Sequence, residues 1–402
     1  MLPRVLIYRD MLLPRSETFI VNQAERLKRY RPYYAGTTKI DGLPLPEERT
    51  LLFHGRGLLG KLGNVAYRRS GVSPHVTRIL MRVQPSLVHA HFGFDATHVL
   101  RLCRAFRLPL VVTLHDYDVT SSDADLLSLS PHYADYIRRR PQLNQRATKF
   151  LAVSQHIKEK AIARGFSREK IVVHYIGVDT EIFRPSPERG REPIVLFVGR
   201  LVPKKGVAYL VRAMAEVQRN HPKVELVVVG TGPLLEELRA QAANSLTAYR
   251  FVGALPPAEV RAWIARASIF CAPSVTAASG ETEGLPITVL EALASGCPVV
   301  STVHAGIPEA VTHGENGFLA PESDSELLAR HLLELVTNRD LADRFGKSAR
   351  SRVLERFDLR QQTAVLETLY DDAVAGSFWR SPWARSLQNS LSMVIGRKDV
   401  QR

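Results

Sequence analysis

Short apolar runs alternate with amphipathic stretches along most of the chain. The runs are bounded by glycine, proline or charged residues, and their length is typical of strands buried on both faces. The stretches between them repeat apolar residues at helical spacing. This alternation predicts parallel sheets joined by crossover helices, and therefore an α/β fold. The predicted strands span residues 5–8, 87–90, 110–114, 150–153, 171–174, 194–198, 225–229, 250–252, 269–272 and 298–301.

The segment at residues 176–193 separates the two sets of strands. It is rich in proline, glycine and charge, which is typical of a linker. The chain is therefore predicted to form two Rossmann-like halves, with a ligand site in the cleft beyond the carboxyl ends of the strands. The predicted helices span residues 19–29, 96–106, 207–219, 234–243, 257–265, 288–294 and 359–375.

The predicted division has four parts. They are an N-terminal Rossmann-like domain at residues 1–180, a C-terminal Rossmann-like domain at 181–360, a crossover helix at 361–376, and a basic and aromatic tail at 377–402. Residues 30–75 show no regular pattern. The tail, with Phe378, Trp379 and Trp383, shows none either, but its composition makes it a candidate for docking at a membrane surface.

The length of 402 residues exceeds one ordinary core, which agrees with two domains. The formal net charge of +14 favours anionic partners. Because the positive charge is dispersed and no zinc-finger or recognition-helix pattern is present, we expect no nucleic-acid partner. An anionic membrane surface is the better candidate.

Cys103, Cys271 and Cys297 lie far apart in sequence, which is typical of a protein from a reducing compartment. The N-terminus lacks the layout of a signal peptide. No apolar stretch approaches the ~20 residues that span a bilayer. We therefore expect a cytoplasmic location, with peripheral attachment to the inner face of the plasma membrane as a further hypothesis.

Two carboxylates, Glu283 and Glu291, flank a predicted helix start. Gly284 and Pro286 make the first part of this segment a loop. Free N–H groups at a helix N-terminus bind phosphate, and the carboxylates can accept hydrogen bonds from sugar or ribose hydroxyls. Two solvated glutamates at an ordinary helix start are the alternative, so the interpretation depends on the other motifs.

A basic loop, from Gly199 to Gly206, follows one predicted strand. Arg200 and Lys205 would then lie at the carboxyl end of that strand, where they can neutralise a diphosphate and stabilise its charge as it leaves. A basic surface loop is the alternative. After the next strand, Gly230 and Gly232 would let the backbone approach a ligand closely, although a tight turn explains them as well.

Histidines end two predicted strands of the first half. His89 and His91 lie on one strand, and His115 with Asp116 follows another. Histidine titrates near neutral pH and can bind a hydroxyl or a phosphate. We expect strand alternation to turn only one of His89 and His91 toward any one face, and we favour a structural role for His89. His115 is the functional candidate, with Asp116 setting its tautomer. His91 and Asp116 are acceptor-side candidates.

Polar residues also follow the first strand. Ser16 and Glu17 would lie at the cleft and are further acceptor-side candidates. Ser16 or Thr18 is expected to cap the next helix, with capping the favoured role of Thr18. Asp123 and Asp125 have the spacing of an acidic metal-binding pair, but they follow no strand and indicate a loop or a helix start.

Together these residues resemble the retaining GT-B glycosyltransferases of group 1, glycosyltransferase family 4. The resemblance covers the chain to about residue 370, and residues 16–20 and 89–93 are similar to the branch that makes colanic acid and other exopolysaccharides. The motifs that carry it are Gly199-Arg200 with Lys205-Gly206, Glu283-Gly284-Leu285-Pro286 through Glu291-Ala292, Gly306-Ile307-Pro308-Glu309, Asn316-Gly317-Phe318, and Gly177-Val178-Asp179 before Phe183-Arg184-Pro185.

The resemblance implies two Rossmann-like domains that face each other across a cleft, an acceptor domain at residues 1–180 and a nucleotide-sugar donor domain at 181–360, with the C-terminal helix returning to the N-terminal domain. It implies a hexosyltransferase-type reaction that retains the anomeric configuration, in which the leaving phosphate accepts the proton of the acceptor. It implies no cofactor and no metal, since arginine and lysine neutralise the diphosphate.

The resemblance also implies residue roles. Arg200 and Lys205 would hold the donor diphosphate, Glu291 the ribose, Glu283 the transferred sugar, and His115 both the sugar and the acceptor. The predicted donor and nucleotide site comprises Arg200, Lys205, Gly230, Gly232, Glu283, Gly284, Leu285, Pro286 and Glu291.

Two departures from the family pattern concern the N-terminal side and the linker. Many relatives carry a Gly-Gly loop after the first strand, where this chain has Pro14 to Glu17. The resemblance therefore does not carry the family's phosphate contact on the N-terminal side over to this chain. Ile176 stands where the family usually has asparagine, at the linker and away from the predicted chemistry.

We predict a glycosyltransferase that moves a sugar from a nucleotide-sugar donor to a lipid-linked saccharide acceptor in cell-surface or exopolysaccharide biosynthesis. A GT-B sugar-nucleotide epimerase is one alternative, but it needs acid and base carboxylates at the anomeric carbon that the sequence does not identify. A non-catalytic nucleotide-sugar binding protein is the other. It would keep Arg200 and Glu291 but lack a functional His115.

Overall fold

The computed structural model confirms an α/β fold built on two parallel sheets. A seven-stranded sheet has the order β5-β3-β1-β6-β7-β8-β9, and a six-stranded sheet has the order β12-β11-β10-β13-β14-β15. A short pair, β2 and β4, lies apart from both. The structure describes residues 2–54, 62–65, 67, 70–131, 133–185 and 191–379.

Strands and helices alternate in the order that the hydrophobic pattern predicts. The strands are β1 Arg4–Tyr8, β2 Met11–Leu12, β3 Arg31–Gly36, β4 Thr38–Lys39, β5 Thr50–Leu52, β6 Leu87–His91, β7 Leu110–Leu114, β8 Lys149–Ala152, β9 Ile171–Val173, β10 Glu192–Val198, β11 Glu225–Val229, β12 Tyr249–Gly253, β13 Ala267–Ala272, β14 Val299–Thr302 and β15 Gly317–Ala320.

The helices lie between these strands and after the last one. They are α1 Thr18–Glu25, α2 Pro74–Val83, α3 Gly93–Ala105, α4 Tyr117–Thr120, α5 Asp123–Leu129, α6 Tyr133–Arg146, α7 Gln155–Ala163, α8 Val207–Asn220, α9 Leu235–Ser245, α10 Pro257–Arg266, α11 Ile287–Ala294, α12 Ile307–Ala310, α13 Ser325–Thr337, α14 Arg339–Arg356 and α15 Leu359–Trp379.

The ten predicted strands and seven predicted helices are all present, with ends shifted by a few residues. The prediction missed β3, because Pro32 and Gly36 within it are unfavourable in strand interiors. It also missed β5 and β15, which are only three and four residues long. Both are outermost strands of their sheets.

The two sheets lie on either side of the predicted linker, and the exact domain boundaries at 180/181 and 360/361 stay predictions. Part of the linker, residues 186–190, lies outside the described residues. The same holds for part of the unassigned 30–75 segment, and for the predicted tail from residue 380 onward, with Trp383.

The last helix, α15, packs against the N-terminal sheet, as the resemblance implies. Leu366 and Tyr370 belong to the same buried cluster as Val5 and Val111 of β1 and β7. Tyr370 also bonds the buried His89 of β6, with 2.6 Å between its hydroxyl and Nδ1. Helix α15 therefore stabilises the N-terminal domain. Among the described residues, no helix combines the length and the apolar character needed to cross a membrane.

Candidate active site

Two loops of the C-terminal sheet meet at the cleft. One runs from the end of β10 at Val198 to the start of α8, and the other from β13 to α11. Their backbones are joined where Val275 donates its N–H to the carbonyl of Lys204 over 2.8 Å. Both loops follow the carboxyl ends of adjacent parallel strands, where ligands of such sheets bind.

A cluster of opposite charges lies between these loops. Lys205 Nζ donates to Glu283 Oε2 over 3.0 Å, and Lys204 Nζ lies 4.0 Å from Glu283 Oε1. Lys204 also pairs with Asp116 at 2.8 Å and with Glu281 at 2.7 Å. The structure thus brings together Glu283, Lys205 and Asp116, three residues that the sequence places far apart.

Glu283 is the most deeply buried acid of this cluster, with 5% of its surface exposed. Burial alone would raise the pKa of Glu283, but the ammonium groups of Lys205 and Lys204 hold it below its ordinary value. Its Oε1 atom is buried and accepts no hydrogen bond within the described residues. A buried carboxylate oxygen without a donor is costly, so this atom is suited to a ligand hydroxyl.

The backbone N–H of Glu283 binds His304, a residue that the sequence did not predict to belong to the site. Its N–H donates to His304 Nε2 over 3.1 Å, and His304 Nδ1 lies 2.6 Å from Glu322 Oε1. Since Nε2 accepts, the proton sits on Nδ1 and donates to Glu322. These two hydrogen bonds set both the tautomer of His304 and the position of Glu283. The sequence did not indicate this arrangement, because the three residues lie on different loops.

Glu291 and Arg200 are the two predicted donor residues without a side-chain partner among the described residues. Glu291 lies half-buried on α11, and burial raises its pKa to about 8. Arg200 is exposed beside β10. Leu285 is buried and Pro286 caps the start of α11. An unpaired carboxyl and an unpaired guanidinium in this position are available to a ligand, and their predicted contacts stay predictions.

We expect Glu291→Gln to make the folded protein more stable at high pH and to weaken nucleotide binding. The folded state keeps the proton of Glu291 up to a pKa of about 8, above the ordinary value of 4.5. Below pH 4.5 the carboxyl of Glu291 is protonated in both the folded and the unfolded state, so it costs no stability. As the pH rises from 4.5 to about 8, the unfolded state loses this proton more readily, and the folded protein becomes less stable. Thermal unfolding should show a gain of about 1–3 kcal/mol for the variant at pH 8.5 and none at pH 4. A gain of equal size at both pH values would contradict this assignment.

Gly230 and Gly232, in the loop after β11, allow this loop to pack closely against the loop after β10. A Cβ on Gly230 would lie 1.9 Å from the carbonyl oxygen of Gly199, and one on Gly232 would lie 2.3 Å from that of Leu201. These glycines therefore let the two backbones approach each other, which is more than the tight turn considered from the sequence. Contact of Gly230 and Gly232 with a nucleotide stays a prediction.

Three buried histidines, His89, His91 and His115, lie on β6 and directly after β7. His89 and His91 are two residues apart, and their rings lie on the same face of β6 with centroids 4.4 Å apart. The expectation that only one of them faces each side is wrong, because alternation separates neighbours i and i+1, whereas i and i+2 share a face. His89 bonds Tyr370 and Thr113, and burial lowers its pKa to about 3. A structural role for His89 agrees with these contacts.

His115 lies after β7 and is 6% exposed. Its Nε2 is 3.1 Å from His91 Nδ1, so one of these nitrogens donates to the other. The predicted control of its tautomer by Asp116 is wrong, since the carboxylate of Asp116 is paired with Lys204. Burial, aided by the nearby charge of Arg9, lowers the pKa of His115 well below its ordinary value. His115 is therefore neutral near pH 7 and suited to hydrogen bonding.

The residues after β1 form a buried ion network. Arg9 binds Glu17 through two nitrogens, at 2.9 and 2.8 Å, and Asp95 at 2.5 Å. Glu17 is thus paired within the protein, which makes its predicted acceptor role an indirect one. The expected side-chain cap is also wrong: α1 begins at Thr18 with Glu17 at the N-cap, and no side chain caps it. Ser16 is exposed beside this network.

Arg9 was missed by the sequence reasoning. A single arginine after a strand carries no motif, although its position beyond the carboxyl end of β1 was the available signal. Its guanidinium lies 4.5 Å from the ring centre of Phe92, beside His115. Asp123 begins α5, as expected, and pairs with Arg140.

The loop before α11 contacts the N-terminal domain directly. A Cβ on Gly284 would lie 2.1 Å from the carbonyl oxygen of His115 and 2.8 Å from the side chain of Val153. Glu309, on α12, accepts hydrogen bonds from the N–H of Gln155 at 2.8 and 3.0 Å, at the start of α7. The motif residues Gly284 and Glu309 therefore both make contacts between the two domains.

We expect Gly284→Ala to separate the two sides of the cleft, because the added methyl group has no room against the backbone of His115. Small-angle scattering should show a larger radius of gyration than for the parent protein. Gly314→Ala is a control, since a Cβ there meets no atom within 4 Å, although its φ of 78° makes that substitution mildly strained. An unchanged radius in Gly284→Ala would contradict the close contact.

The chain matches two family models, which together cover most of its length. The model "Glycosyl transferases group 1" matches residues 178–352, and the model "Glycosyltransferase Family 4" matches residues 16–182. The amylovoran biosynthesis glycosyltransferase AmsK of Erwinia amylovora is 32% identical over 291 residues, covering 70% of each chain. WcaL of Salmonella typhimurium, named for colanic acid biosynthesis, is 31% identical with the same coverage.

A solved structure shows the same fold at low sequence identity. HepE of Anabaena in complex with UDP-glucose superposes with a TM-score of 0.72 at 23% identity, over 92% of this chain and 99% of that one. This likeness supports the fold of two parallel-sheet domains described above.

Proposed function

The chain belongs to the group 1 glycosyltransferases with the GT-B fold, and on this premise we propose that it moves a sugar from a nucleotide-sugar donor to a saccharide acceptor with retention of the anomeric configuration. The amylovoran and colanic acid relatives favour an acceptor in exopolysaccharide or cell-surface biosynthesis. We extend the proposal to a lipid-linked acceptor, which the net charge of +14 would help to reach at an anionic surface.

The observation that carries the proposal is the state of Glu283. Its Oε1 is buried without a hydrogen-bond donor, while two lysines keep the carboxylate charged. A sugar hydroxyl would supply the donor that this oxygen lacks. A neutral sugar can bind at this position, because Lys204 and Lys205 already balance the negative charge of the Glu283 carboxylate.

The donor diphosphate would lie against the loop that holds Arg200 and Lys205. These two cations would neutralise the charge that builds on the leaving diphosphate, and they would do so without a metal ion. Glu291 would bind the ribose hydroxyls, because its unpaired carboxyl can accept from two of them. HepE binds UDP-glucose in the same fold, which favours a nucleotide-sugar of this class for the present chain.

Transfer would proceed on one face of the sugar. The acceptor hydroxyl attacks the anomeric carbon while the bond from that carbon to the phosphate oxygen breaks. The hydroxyl proton passes to the departing phosphate oxygen, so the nucleoside diphosphate leaves with that proton. The neutral imidazole of His115 would orient the sugar and the acceptor by hydrogen bonds, since its lowered pKa disfavours a proton at neutral pH.

Two assays test this function. Thermal-shift screening against a panel of nucleotide-sugars identifies the donor as the one that raises the unfolding temperature most. With that donor, release of nucleoside diphosphate should require a saccharide acceptor. Conversion of the donor without acceptor would instead identify an epimerase, and stabilisation without any turnover in the presence of acceptors would identify a binding protein.

A further inference from the structure

Lys204 stands beside the predicted diphosphate-binding Lys205, but the two lysines have different surroundings. The side chain of Lys204 is 9% exposed and that of Lys205 is 18% exposed. Lys204 Nζ lies 2.8 Å from Asp116 Oδ2, beyond β7 of the N-terminal sheet, and 2.7 Å from Glu281 Oε1 in its own domain. One ammonium therefore joins the two sides of the cleft.

Lys204 also lies 4.0 Å from the unpartnered Oε1 of Glu283, whereas Lys205 pairs with Oε2. If Lys205 turns from Glu283 toward a donor diphosphate, the charge of Glu283 loses its nearest partner. Lys204 cannot follow, because Asp116 and Glu281 hold it in place. It then remains as the only ammonium near Glu283 within the described residues.

Resting on the proposed function, we propose that Lys204 is a positioning residue that keeps Glu283 ionised and the cleft closed while Lys205 and Arg200 hold the donor diphosphate. These different roles agree with the surroundings of the two lysines: carboxylates enclose Lys204, whereas Lys205 is more exposed. An uncharged Glu283 would lose its strongest hydrogen bond to a sugar hydroxyl, since charged acceptors bind more tightly than neutral ones.

The charged groups around Lys204 and Glu283 favour the ionised form of both side chains. Burial would lower the pKa of Lys204, but Asp116, Glu283 and Glu281 together raise it, so it stays protonated. The groups that lower the pKa of Glu283 are Lys205 first, then Lys204, with His304 contributing least. His304 accepts the backbone N–H of Glu283 through Nε2. Removing Lys204 therefore leaves Lys205 as the one ammonium paired with Glu283 among the described residues.

The first experiment titrates the carboxyl of Glu283 by NMR in full-length protein labelled with ¹³C-glutamate, with Glu283→Gln to assign the signal. In Lys204→Met the pKa of Glu283 should rise by about one unit or more, because one opposite charge within about 4 Å is lost. Lys204→Arg keeps the charge and should keep the pKa. Lys223→Met, at an exposed site, is the matched control.

The second experiment measures the ligand-free protein by small-angle scattering. Both Lys204→Met and Asp116→Asn should enlarge the radius of gyration, and Lys204→Arg should not. With an identified donor and acceptor, Lys204→Met should also move the acid limb of kcat/KM to higher pH, in line with the raised pKa of Glu283.

An unchanged pKa of Glu283 in Lys204→Met, or an unchanged radius in both variants, would overturn the proposal. These two readings need no turnover. Absence of transfer by the parent protein would therefore reject the proposed function alone, while the role of Lys204 would still be decided.

Discussion

Lys205→Ala is expected to lower the turnover with the preferred donor by about 100-fold or more, the range for losing one group that stabilises a developing charge. In the ligand-free protein Lys205 pairs with Glu283 over 3.0 Å, so its ammonium already lies in the cleft. In the reaction it would stabilise the diphosphate as the bond to the sugar breaks. Because that charge grows in the transition state, the loss should appear in kcat more than in donor affinity.

Steady-state kinetics with saturating acceptor would measure this effect. Lys223→Ala, an exposed lysine beyond α8, is the matched control and should leave the turnover near that of the parent protein. Far-ultraviolet circular dichroism and thermal unfolding would verify that Lys205→Ala is folded. Near-normal turnover in a folded Lys205→Ala protein would refute the placement of the diphosphate at this loop.

Glu283→Gln should lower kcat/KM for the donor by about 100-fold, on the scale of a lost hydrogen bond between a charged group and a hydroxyl. Glutamine keeps the size of the side chain but removes the charge that Lys204 and Lys205 compensate. The control is Glu315→Gln at an exposed position without an ion pair in the described part of the chain.

Deoxy-sugar donors make this test specific. If Glu283 binds one hydroxyl of the transferred sugar, the donor that lacks this hydroxyl should lose a similar factor with the parent protein. It should lose little more with Glu283→Gln, because the two changes remove the same bond. Full additivity for every deoxy donor would mean that Glu283 acts elsewhere.

The sequence predicted the fold well because buried parallel strands form continuous apolar runs. β7 and β11 were predicted to the residue, and the wrong or missing predictions concern strands with Pro32, Gly36 or very short length. Helix α1 was found, but neither Ser16 nor Thr18 caps it. The helix begins at Thr18 with Glu17 at the N-cap, and the carboxylate of Glu17 pairs with Arg9.

The donor side of the site was easier to predict than the acceptor side. Glu283 and Lys205 belong to local motifs whose spacing is visible in the chain, and the structure brings them to 3.0 Å. Arg9, His304 and Lys204 act through partners that are distant in sequence, such as Asp95, Glu322 and Asp116, so no local pattern marks them. The prediction that Asp116 sets the tautomer of His115 was wrong for the same reason, because Asp116 pairs with Lys204, which is distant in sequence.

A radiolabelled sugar followed from its nucleotide donor into a saccharide acceptor, with release of nucleoside diphosphate measured in the same reaction, decides whether this protein transfers sugars. We expect label in the saccharide with the anomeric configuration of the donor, one nucleoside diphosphate released per sugar, and a loss of both signals in Lys205→Ala. Label that stays on the nucleotide with every donor of the panel, or transfer that is unaffected in Lys205→Ala, would refute glycosyl transfer at this site.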